Sequence, residues 1–503
     1  MKHSWFLLAG AASIALTQEH GQYAVDAIHD HAYNHKACGL EGLGDESSRL
    51  AAADILVSGE NDVLNHYAGN STNSHPQELN RPSGHNWTQT TPCFNSIISS
   101  DTFCVFTDSS YANGHGISFV TTAERAAYLA SLPSFTSPST IDSSPAKYAI
   151  SPIPGKGLGL IATTHIPRGS LILSSHPTLM IDYRIFDELL RTDQLSLQAA
   201  AISSLPESHQ SAFFKLSTHS SRNATDSLSR IALTDSIITT NAFDIPPSPS
   251  QSSTPEDPND SLWYATFASP ISPISRLNHA CRPNSDYRFD WHNGLVQLIT
   301  AVRDILPGEE ITISYINPLQ TRQARQKQLR EGWGFDCFCE HCSRSRGRSE
   351  ESDRRIRLTR KIRRLLKEEG EDEGSEVVKG RTERTKMAEL LVSLYEMEGL
   401  WGMIYEAYGI AAREYSKAGE AWMAMKWACM AVEFGAMVLG EDDEEVRGMK
   451  ELVRDPWGHE TWKSGKKGGG YEVENEDGKD IDERPEGLEL EDGVDEEDDE
   501  EGW

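Results

Sequence analysis

The chain has 503 residues, of which 38% are hydrophobic and 24% are charged. A chain of this length forms about two to four domains and buries a core without the disulfide framework of small secreted proteins. Its eight cysteines are also too few for such a framework. The formal charge of −29 argues against a protein that coats nucleic acid non-specifically.

The charge is distributed unevenly along the chain. Residues 471–503 carry 18 acidic and 2 basic side chains, whereas residues 344–367 carry 11 basic and 3 acidic ones. Because like charges repel one another, we predict a disordered acidic tail over residues 461–503. Residues 344–367, called the basic stripe below, have two interpretations. They form either a solvated helix face with i,i+4 ion pairs or a surface for an acidic partner or nucleic acid.

The amino terminus has the layout of a secretory leader. Lys2 and His3 precede an apolar run over residues 5–16, which is shorter than the roughly 20 apolar residues of a membrane span. We therefore predict a signal peptide over residues 1–19 and no membrane insertion, which favours the secretory pathway or an extracellular location. The alternative is a short buried helix at an ordinary amino terminus.

Residues 20–131 are predicted to form a polar N-terminal region. Two β-prone runs within it, residues 102–106 and 117–121, predict strands. The Ser- and Pro-rich residues 132–145 predict a linker that ends this region.

The N-terminal region contains three cysteines, Cys38, Cys93 and Cys104. If the region is exported, two of them can pair, and Cys93 and Cys104 are the closest in sequence. The alternative is three reduced thiols, so the pairing stays open.

The following segment, residues 146–320, is predicted to be an α+β domain of short sheets. Residues 183–219 have helical character, and residues 246–260 are a low-complexity run that predicts a disordered insert. The β-prone runs lie at residues 147–175, 295–302 and 311–316.

Residues 348–460 are predicted to be an all-α region. Apolar side chains recur there at helical spacing, although no clean repeat period emerges. Its first stripe consists of Leu358, Ile362, Leu365 and Leu366.

Three cysteines, Cys337, Cys339 and Cys342, lie within six residues of one another. Zinc takes four ligands in a tetrahedron, and such a loop supplies three of them. Cys281 is the candidate for the fourth, since Cys429 lies inside an apolar helical run. The alternatives are a disulfide with a free thiol, or no metal.

Five short segments resemble the motifs of SET-domain methyltransferases. Each is a weak signal alone, but their order and spacing are specific. They are residues 155–159 (GKGLG), 166–169 (IPRG), 275–284 (SRLNHACRPN), 308–315 (GEEITISY) and 334–342 (GFDCFCEHC).

The resemblance implies a SET domain of short β-sheets with knot-like C-terminal threading and a zinc-binding post-SET loop at residues 321–347. It is closest to the SET-and-MYND group and its fungal SET-only relatives. Residues 177–263 contain no cysteine, so the MYND zinc finger is absent from its usual place. The helical region resembles the tetratricopeptide-like tail of that group.

The resemblance also implies S-adenosyl-L-methionine-dependent methylation of a lysine side chain in a protein substrate. Tyr315 matches the catalytic tyrosine and is expected to position the amine, because a hydroxyl with a pKa of about 10 is a poor base at neutral pH. The matching zinc ligands, for one structural Zn²⁺, are Cys281, Cys337, Cys339 and Cys342. The matching cofactor-binding residues are Gly155, Lys156, Gly157, Asn241, Asn278, His279, Tyr315 and Phe335.

Two other functions remain open, a catalytically silent SET-fold scaffold and a secreted interaction protein that binds partners through its helical region. The complete set of motif residues favours the enzyme. The family mostly acts in the nucleus or cytoplasm, so the resemblance gives that location as the alternative to export. Ala280 replaces the usual serine of the motif.

Overall fold

The computed structural model describes most of the chain between Trp87 and Lys463. The predicted signal peptide at 1–19, Cys38, the insert at 246–260 and nearly all of the acidic tail lie outside the described residues and stay predictions. The described residues are 87–136, 138, 146–218, 227–245, 263–266, 273–291, 294–367 and 381–463.

The described strands form three sheets. Their orders are β1-β2-β3-β7-β9-β8, β10-β13-β5-β4 and β11-β12-β6. The bounds are β1 Thr88–Asn95, β2 Thr102–Asp108, β3 Ile117–Thr122, β4 Tyr148–Ile153, β5 Gly157–Ala162, β6 Leu171–Ser175, β7 Leu179–Asp182, β8 Phe243–Ile245, β9 Trp263–Thr266, β10 Asn278–His279, β11 Ser285–Asp290, β12 Val296–Ala301 and β13 Glu310–Ile313.

Helices occupy both the strand-rich part and the C-terminal part. Their bounds are α1 Tyr111–Gly114, α2 Ala123–Ser131, α3 Pro133–Thr136, α4 Ile185–Glu188, α5 Arg191–Ser203, α6 Glu207–Phe213, α7 Ser227–Asn241, α8 Arg322–Trp333, α9 Arg346–Lys367, α10 Arg381–Glu398, α11 Ile404–Ala418, α12 Ala421–Val438 and α13 Glu444–Arg454. The protein is therefore α+β, with the short sheets that the sequence predicts.

The N-terminal region is built into the same sheet as the following segment, which differs from the separate region that we expected. Strand β3 pairs in parallel with β7, with Ser118 opposite Leu179. The buried side chains of β2 pack in one cluster with the helices that follow β7, Phe103 and Leu197 among them. A shared sheet and core leave no boundary at residue 131.

The expected linker at 132–145 also begins differently. Its first residues form α3, where Phe135 is buried and its ring stacks on Tyr111 at a centroid distance of 4.9 Å. The Ser134 hydroxyl donates a hydrogen bond to the Trp291 carbonyl at 2.6 Å. An aromatic side chain in an otherwise Ser- and Pro-rich run thus anchors the segment to the core.

Two neighbouring antiparallel strands carry the cysteine pair whose bonding the sequence left open. Cys93 on β1 and Cys104 on β2 have Cα atoms 4.4 Å apart and are bonded to each other. Their position on adjacent strands brings the two Cβ atoms within disulfide range.

Strand β13 lies at the centre of the four-stranded sheet. It pairs in parallel with β10, with His279 opposite Ile313, and antiparallel with β5, with Glu310 opposite Ile161. Three of the motif segments are thereby adjacent, although about 120 to 150 residues separate β5 from the other two.

The C-terminal helices α9 to α13 pack each on the next one in sequence around a single cluster of buried residues. Ile362 and Leu366 belong to that cluster, whereas Leu358 is 41% exposed and is not part of the buried stripe that we expected. Among the described residues, no helix combines the length and apolar composition that a membrane span requires.

Candidate functional site

Residues from six distant segments line one cavity of about 320 Å³. Seven of the eight predicted cofactor-binding residues belong to its wall, and Gly157 lies next to it at the start of β5. The predicted residues of the wall are Gly155, Lys156, Asn241, Asn278, His279, Tyr315 and Phe335.

A glycine-rich turn between β4 and β5 forms one side of the cavity. Gly155 and Gly157 have φ angles of 74° and 83°, a region that side chains with a Cβ rarely adopt. Between them, the Lys156 ammonium forms an ion pair with Glu310 at 2.7 Å. The turn is therefore held against β13.

Asn278 joins the turn to the central strand. Its amide nitrogen donates to Glu310 Oε1 at 2.9 Å and to the Leu158 carbonyl at 3.2 Å. A Cβ at Gly159 would lie 2.7 Å from the same nitrogen, so glycine is required for this close packing. Glu310 was not predicted as a site residue, although it lies inside a quoted motif.

His279 and Tyr315 are hydrogen-bonded to each other in the wall of the cavity. The Tyr315 backbone N–H donates to His279 Nδ1 at 3.1 Å, and the Tyr315 hydroxyl donates to the Leu277 carbonyl at 2.6 Å. Burial lowers the pKa of His279 to about 3, so the imidazole is neutral and accepts the bond. Burial and the nearby Glu310 carboxylate raise the pKa of Tyr315, so its hydroxyl stays protonated.

Aromatic rings form the wall nearest to the cysteine loop. Trp333 and Phe335 lie 5.5 and 6.5 Å from the Tyr315 ring, centroid to centroid. Phe338 also lines the cavity and is 82% exposed. Trp333 and Phe338 were missed by the sequence prediction, and their closeness to the quoted cysteine motif is the signal that points to them.

Asn241 forms the opposite wall at the C-terminal end of α7. Its amide nitrogen donates to the Ser217 and Ile237 carbonyls, both at 2.8 Å. These bonds fix the orientation of the amide. Ser217 and Thr218 also line the cavity, and nothing in the sequence pattern indicated them.

The four predicted metal ligands form one cluster. The Sγ atoms of Cys281, Cys337, Cys339 and Cys342 all lie within 4.8 Å of one another. Cys281 Sγ is 3.4 Å from Cys342 Sγ and 4.0 Å from Cys337 Sγ. A tetrahedron with Zn–S bonds near 2.3 Å has sulfur atoms about 3.8 Å apart, so the residues fit zinc.

The comparison with protein families identifies the domain. Residues 157–316 match the SET domain family. This chain carries a SET domain. Three of the five motif segments lie within this match, the segment at 155–159 overlaps its start, and the cysteine segment at 334–342 follows its end.

The relatives of the chain agree with that SET domain. Histone-lysine N-methyltransferase SMYD3 of Homo sapiens is 49% identical over 69 residues, which are 14% of this chain and 15% of that protein. Histone-lysine N-methyltransferase SET5 of Meyerozyma guilliermondii is 46% identical over 69 residues, 14% of each chain. Histone-lysine N-methyltransferase set5 of Schizosaccharomyces pombe is 30% identical over 198 residues, 39% of this chain and 50% of that protein. The predicted resemblance to the SET-and-MYND group and its fungal relatives is confirmed, although the chain spans at most half the length of these three proteins.

A buried ionic network connects the SET motif to the helical region. Arg282, next to Cys281, forms an ion pair with the fully buried Glu398 of α10 at 2.9 Å. Glu398 also accepts from the Ser352 hydroxyl at 2.6 Å and pairs with Arg355 at 2.7 Å, both on α9. The loop that carries Cys281 is thus fixed to two helices outside the SET domain.

A second buried cation lies against the cysteine cluster. Arg325 of α8 is fully buried. Burial alone would lower the pKa of its guanidinium, but the charges of Cys281 and Cys342 outweigh burial and raise it. Four thiolates around one divalent ion leave a net charge of −2, and a guanidinium next to them offsets part of it. Arg325 was not predicted, because it lies in the first turn of α8 and the rest of that helix separates it from Cys337.

Proposed function

We propose that this protein is an S-adenosyl-L-methionine-dependent methyltransferase that acts on a lysine side chain of a protein substrate. The observation that carries the proposal is the placement of Tyr315 in the wall of a cavity shared with Asn278, His279 and Phe335. The names of the similar proteins, which are histone-lysine methyltransferases, support the same chemistry.

The cavity wall suits an adenosyl amino acid. The Gly155–Gly157 turn lets backbone approach a ligand closely, and the amides of Asn241 and Asn278 offer polar contacts. Phe335 supplies a ring face for the adenine. When bound, S-adenosyl-L-methionine supplies a methyl group on a positively charged sulfur.

Tyr315 would position the reacting amine rather than deprotonate it. Its raised pKa keeps the hydroxyl protonated, and its proton is donated to the Leu277 carbonyl. The phenolic oxygen is then free to accept a hydrogen bond from the substrate amine and to align it. Alignment of two reactants contributes a large part of the rate in such transfers.

We propose that the cysteine cluster holds one structural Zn²⁺. Four cysteine ligands leave no open position for catalysis, so the ion acts on the fold. Because Cys281 is only two residues after His279, metal binding would order the cavity wall together with the post-SET loop.

Two finer features belong to the same proposal. The knot-like threading is supported by Asn284, whose amide donates to the Glu310 carbonyl at 2.8 Å and accepts from the Thr312 N–H at 2.9 Å. The tetratricopeptide-like character of the helical region is supported by the packing of each helix of α9 to α13 on the next.

The test combines cofactor binding with methyl transfer. Calorimetry with S-adenosyl-L-methionine should show micromolar binding to the wild type and to Tyr315→Phe alike. Transfer of labelled methyl from the cofactor to core histones should fall about 100-fold or more in Tyr315→Phe, since a single positioned hydrogen-bonding group contributes on that order.

Tyr415→Phe is the matched control, because its hydroxyl bonds to Glu389 in the helical region, away from the cavity. It should retain wild-type binding and transfer. Absence of cofactor binding at high micromolar concentration would overturn the enzyme proposal and favour the silent scaffold.

A further inference from the structure

Helix α9 has a different charge pattern in each of its two halves. In the first half, Arg346 pairs with Glu350 and Arg355 pairs with Glu351, four residues apart in each case. Residues 354–367 contain no acidic side chain and eight basic ones. The interpretation of the basic stripe as a solvated helix face with i,i+4 ion pairs therefore holds only for the first half.

The eight cations of residues 354–367 lie on two sides of the helix. Arg355 and Arg363 are half-buried and pair with Glu398 and Glu406 at 2.7 Å each. The other six are exposed, and none of them forms an ion pair with another described residue. These six, called the basic face below, are Arg354, Arg357, Arg360, Lys361, Arg364 and Lys367.

The basic face is a continuous strip on a firmly held helix. At 3.6 residues per turn, its six side chains fall within about 140° of the helix circumference and extend over about 20 Å. The pair of Arg355 with the buried Glu398 holds α9 on α10. The buried side of α9 lies opposite the strip and includes Ile356, Thr359, Ile362 and Leu366.

The charges of the basic face repel one another. Arg357 and Lys361 are like charges four residues apart, and so are Arg360 and Arg364, an arrangement that destabilises a helix. The helix dipole favours cations only in the last turn, so it offsets the repulsion at Arg364 and Lys367 alone. The strip therefore gains most from an anionic partner whose charges are spread over about 20 Å.

The six cations form three pairs, each seven residues apart, which lie in three rows along the helix. Arg354 and Lys361 form one edge row, Arg360 and Lys367 form the other edge row, and Arg357 and Arg364 form the middle row. At a helix radius of about 6 Å with side chains, the two edge rows are about 10 Å apart.

These dimensions match the major groove of B-form DNA. That groove is about 12 Å wide and admits one α-helix. About 20 Å of duplex carries roughly six phosphates on each strand. The two edge rows therefore fit the phosphates on either side of the groove, and the middle row faces into it.

We propose that the basic face of α9 binds the major groove of duplex DNA. The edge rows contact phosphates, and the arginines of the middle row face the base edges, where a guanidinium group binds guanine. Because the protein as a whole is acidic, with a formal charge of −29, the contact is confined to this strip. The inference does not rest on the proposed methyl transfer, and its test needs no cofactor.

Fluorescence anisotropy with a labelled 20-base-pair DNA duplex and the full chain tests the contact. Four phosphate contacts release counterions, so log affinity should fall against log salt with a slope of about −3.6. The affinity of the wild type should accordingly fall about 150-fold between 50 and 200 mM NaCl.

Two double variants remove one edge row each, Arg354→Gln with Lys361→Gln and Arg360→Gln with Lys367→Gln. Each should reduce the salt slope to about half, because two of four phosphate contacts are lost. Arg357→Gln with Arg364→Gln should keep the slope and lower the preference for guanine-rich duplexes. Glutamine is a good helix former, so the circular dichroism of all three should match that of the wild type.

Arg447→Gln with Arg454→Gln on α13 is the matched control, because it removes two exposed arginines that are also seven residues apart. It should bind DNA like the wild type. A double-stranded RNA of the same sequence should bind at least about tenfold more weakly, since its major groove is too deep and narrow for side chains to enter.

Three results would overturn the proposal. The first is no binding of DNA by the wild type at 100 μM protein and 50 mM NaCl. The second is a salt slope that stays unchanged in both edge-row variants, or that falls equally in the control. The third is displacement of the DNA by poly-glutamate as effective as by unlabelled DNA of equal charge, which would assign the basic face to an acidic protein segment.

Discussion

The strand-rich body and the helical region of this protein are assembled in opposite ways. In the body, residues as distant as Gly155 and Phe335 line one cavity, and each sheet combines strands that are far apart in sequence. In the helical region, each of the helices α9 to α13 packs on the next one along the chain. The site therefore depends on long-range strand register, whereas the helices depend on local apolar periodicity.

The two regions meet at Glu398. This carboxylate belongs to the helical region, yet it holds Arg282 beside the cysteine cluster of the body. Substitutions that remove a long-range contact should therefore destabilise the body more than comparable substitutions destabilise the helical region. A substitution of Glu398 should destabilise both regions.

The largest effect is expected for Cys339→Ser. Structural zinc contributes on the order of 10 kcal/mol to folded forms that depend on it, and three thiolates hold it much less tightly than four. The purified wild type should contain about one zinc per chain, and the variant should contain almost none and melt at a lower temperature. Cys104→Ser, which removes the disulfide of β1 and β2, should keep the zinc; retention of full zinc by Cys339→Ser would contradict the site.

Glu398→Ala should be the most damaging change in the helical region. It leaves Arg282 and Arg355 without their buried carboxylate, which typically costs about 3–5 kcal/mol. Denaturant unfolding measures the loss. Glu350→Gln removes the exposed pair with Arg346 and should leave the unfolding midpoint unchanged.

Asp182→Asn tests the joint between the N-terminal region and the body. Burial raises the pKa of Asp182, but Arg125 and Arg184 outweigh burial and lower it below its usual range. The ionised carboxylate thus stabilises the fold above about pH 4, and this stabilisation is lost as the pH falls through the lowered pKa.

At neutral pH the Asp182→Asn variant should be less stable by about 3 kcal/mol, because the buried Arg125 loses its counter-charge. The difference between the variant and the wild type should shrink in acid. A difference that stays constant down to pH 2 would show that the carboxylate charge plays no part.

The smallest effect is expected for Gly159→Ala. The added Cβ would lie 2.6 Å from Ile153 Cγ1 and 2.7 Å from Asn278 Nδ2, so the strand pair must shift at a cost of about 1–3 kcal/mol. Affinity for S-adenosyl-L-methionine, measured by calorimetry, should fall with it. Gly448→Ala in α13 meets no atom within 4 Å and should be neutral or slightly stabilising.

Much of the candidate site can be predicted from the sequence, because short motifs contain the residue types that a particular turn or ligand needs. The turn at Gly155 needs positive φ, and the cysteine loop needs thiolates at fixed spacing. The strands at 102–106 and 117–121 follow from β-prone side chains and are found within β2 and β3. Arg325 and Ser217 belong to no such motif, since their place in the site arises from what the fold brings beside them.

What the sequence alone determined is the α+β class, the SET motifs in their order, the four clustered cysteines and the division of charge between a basic helix and an acidic tail. What the tertiary structure decided is which distant groups meet: Cys93 with Cys104, β3 with β7, and Glu398 with Arg282. Local propensity determines the conformation of only a few neighbouring residues. These contacts instead join residues that lie from about 10 to more than 100 positions apart in the sequence, so they depend on strand pairing and burial. The composition of the basic stripe is visible in the sequence, but only the fold separates the half-buried, paired Arg355 and Arg363 from its eight exposed cations.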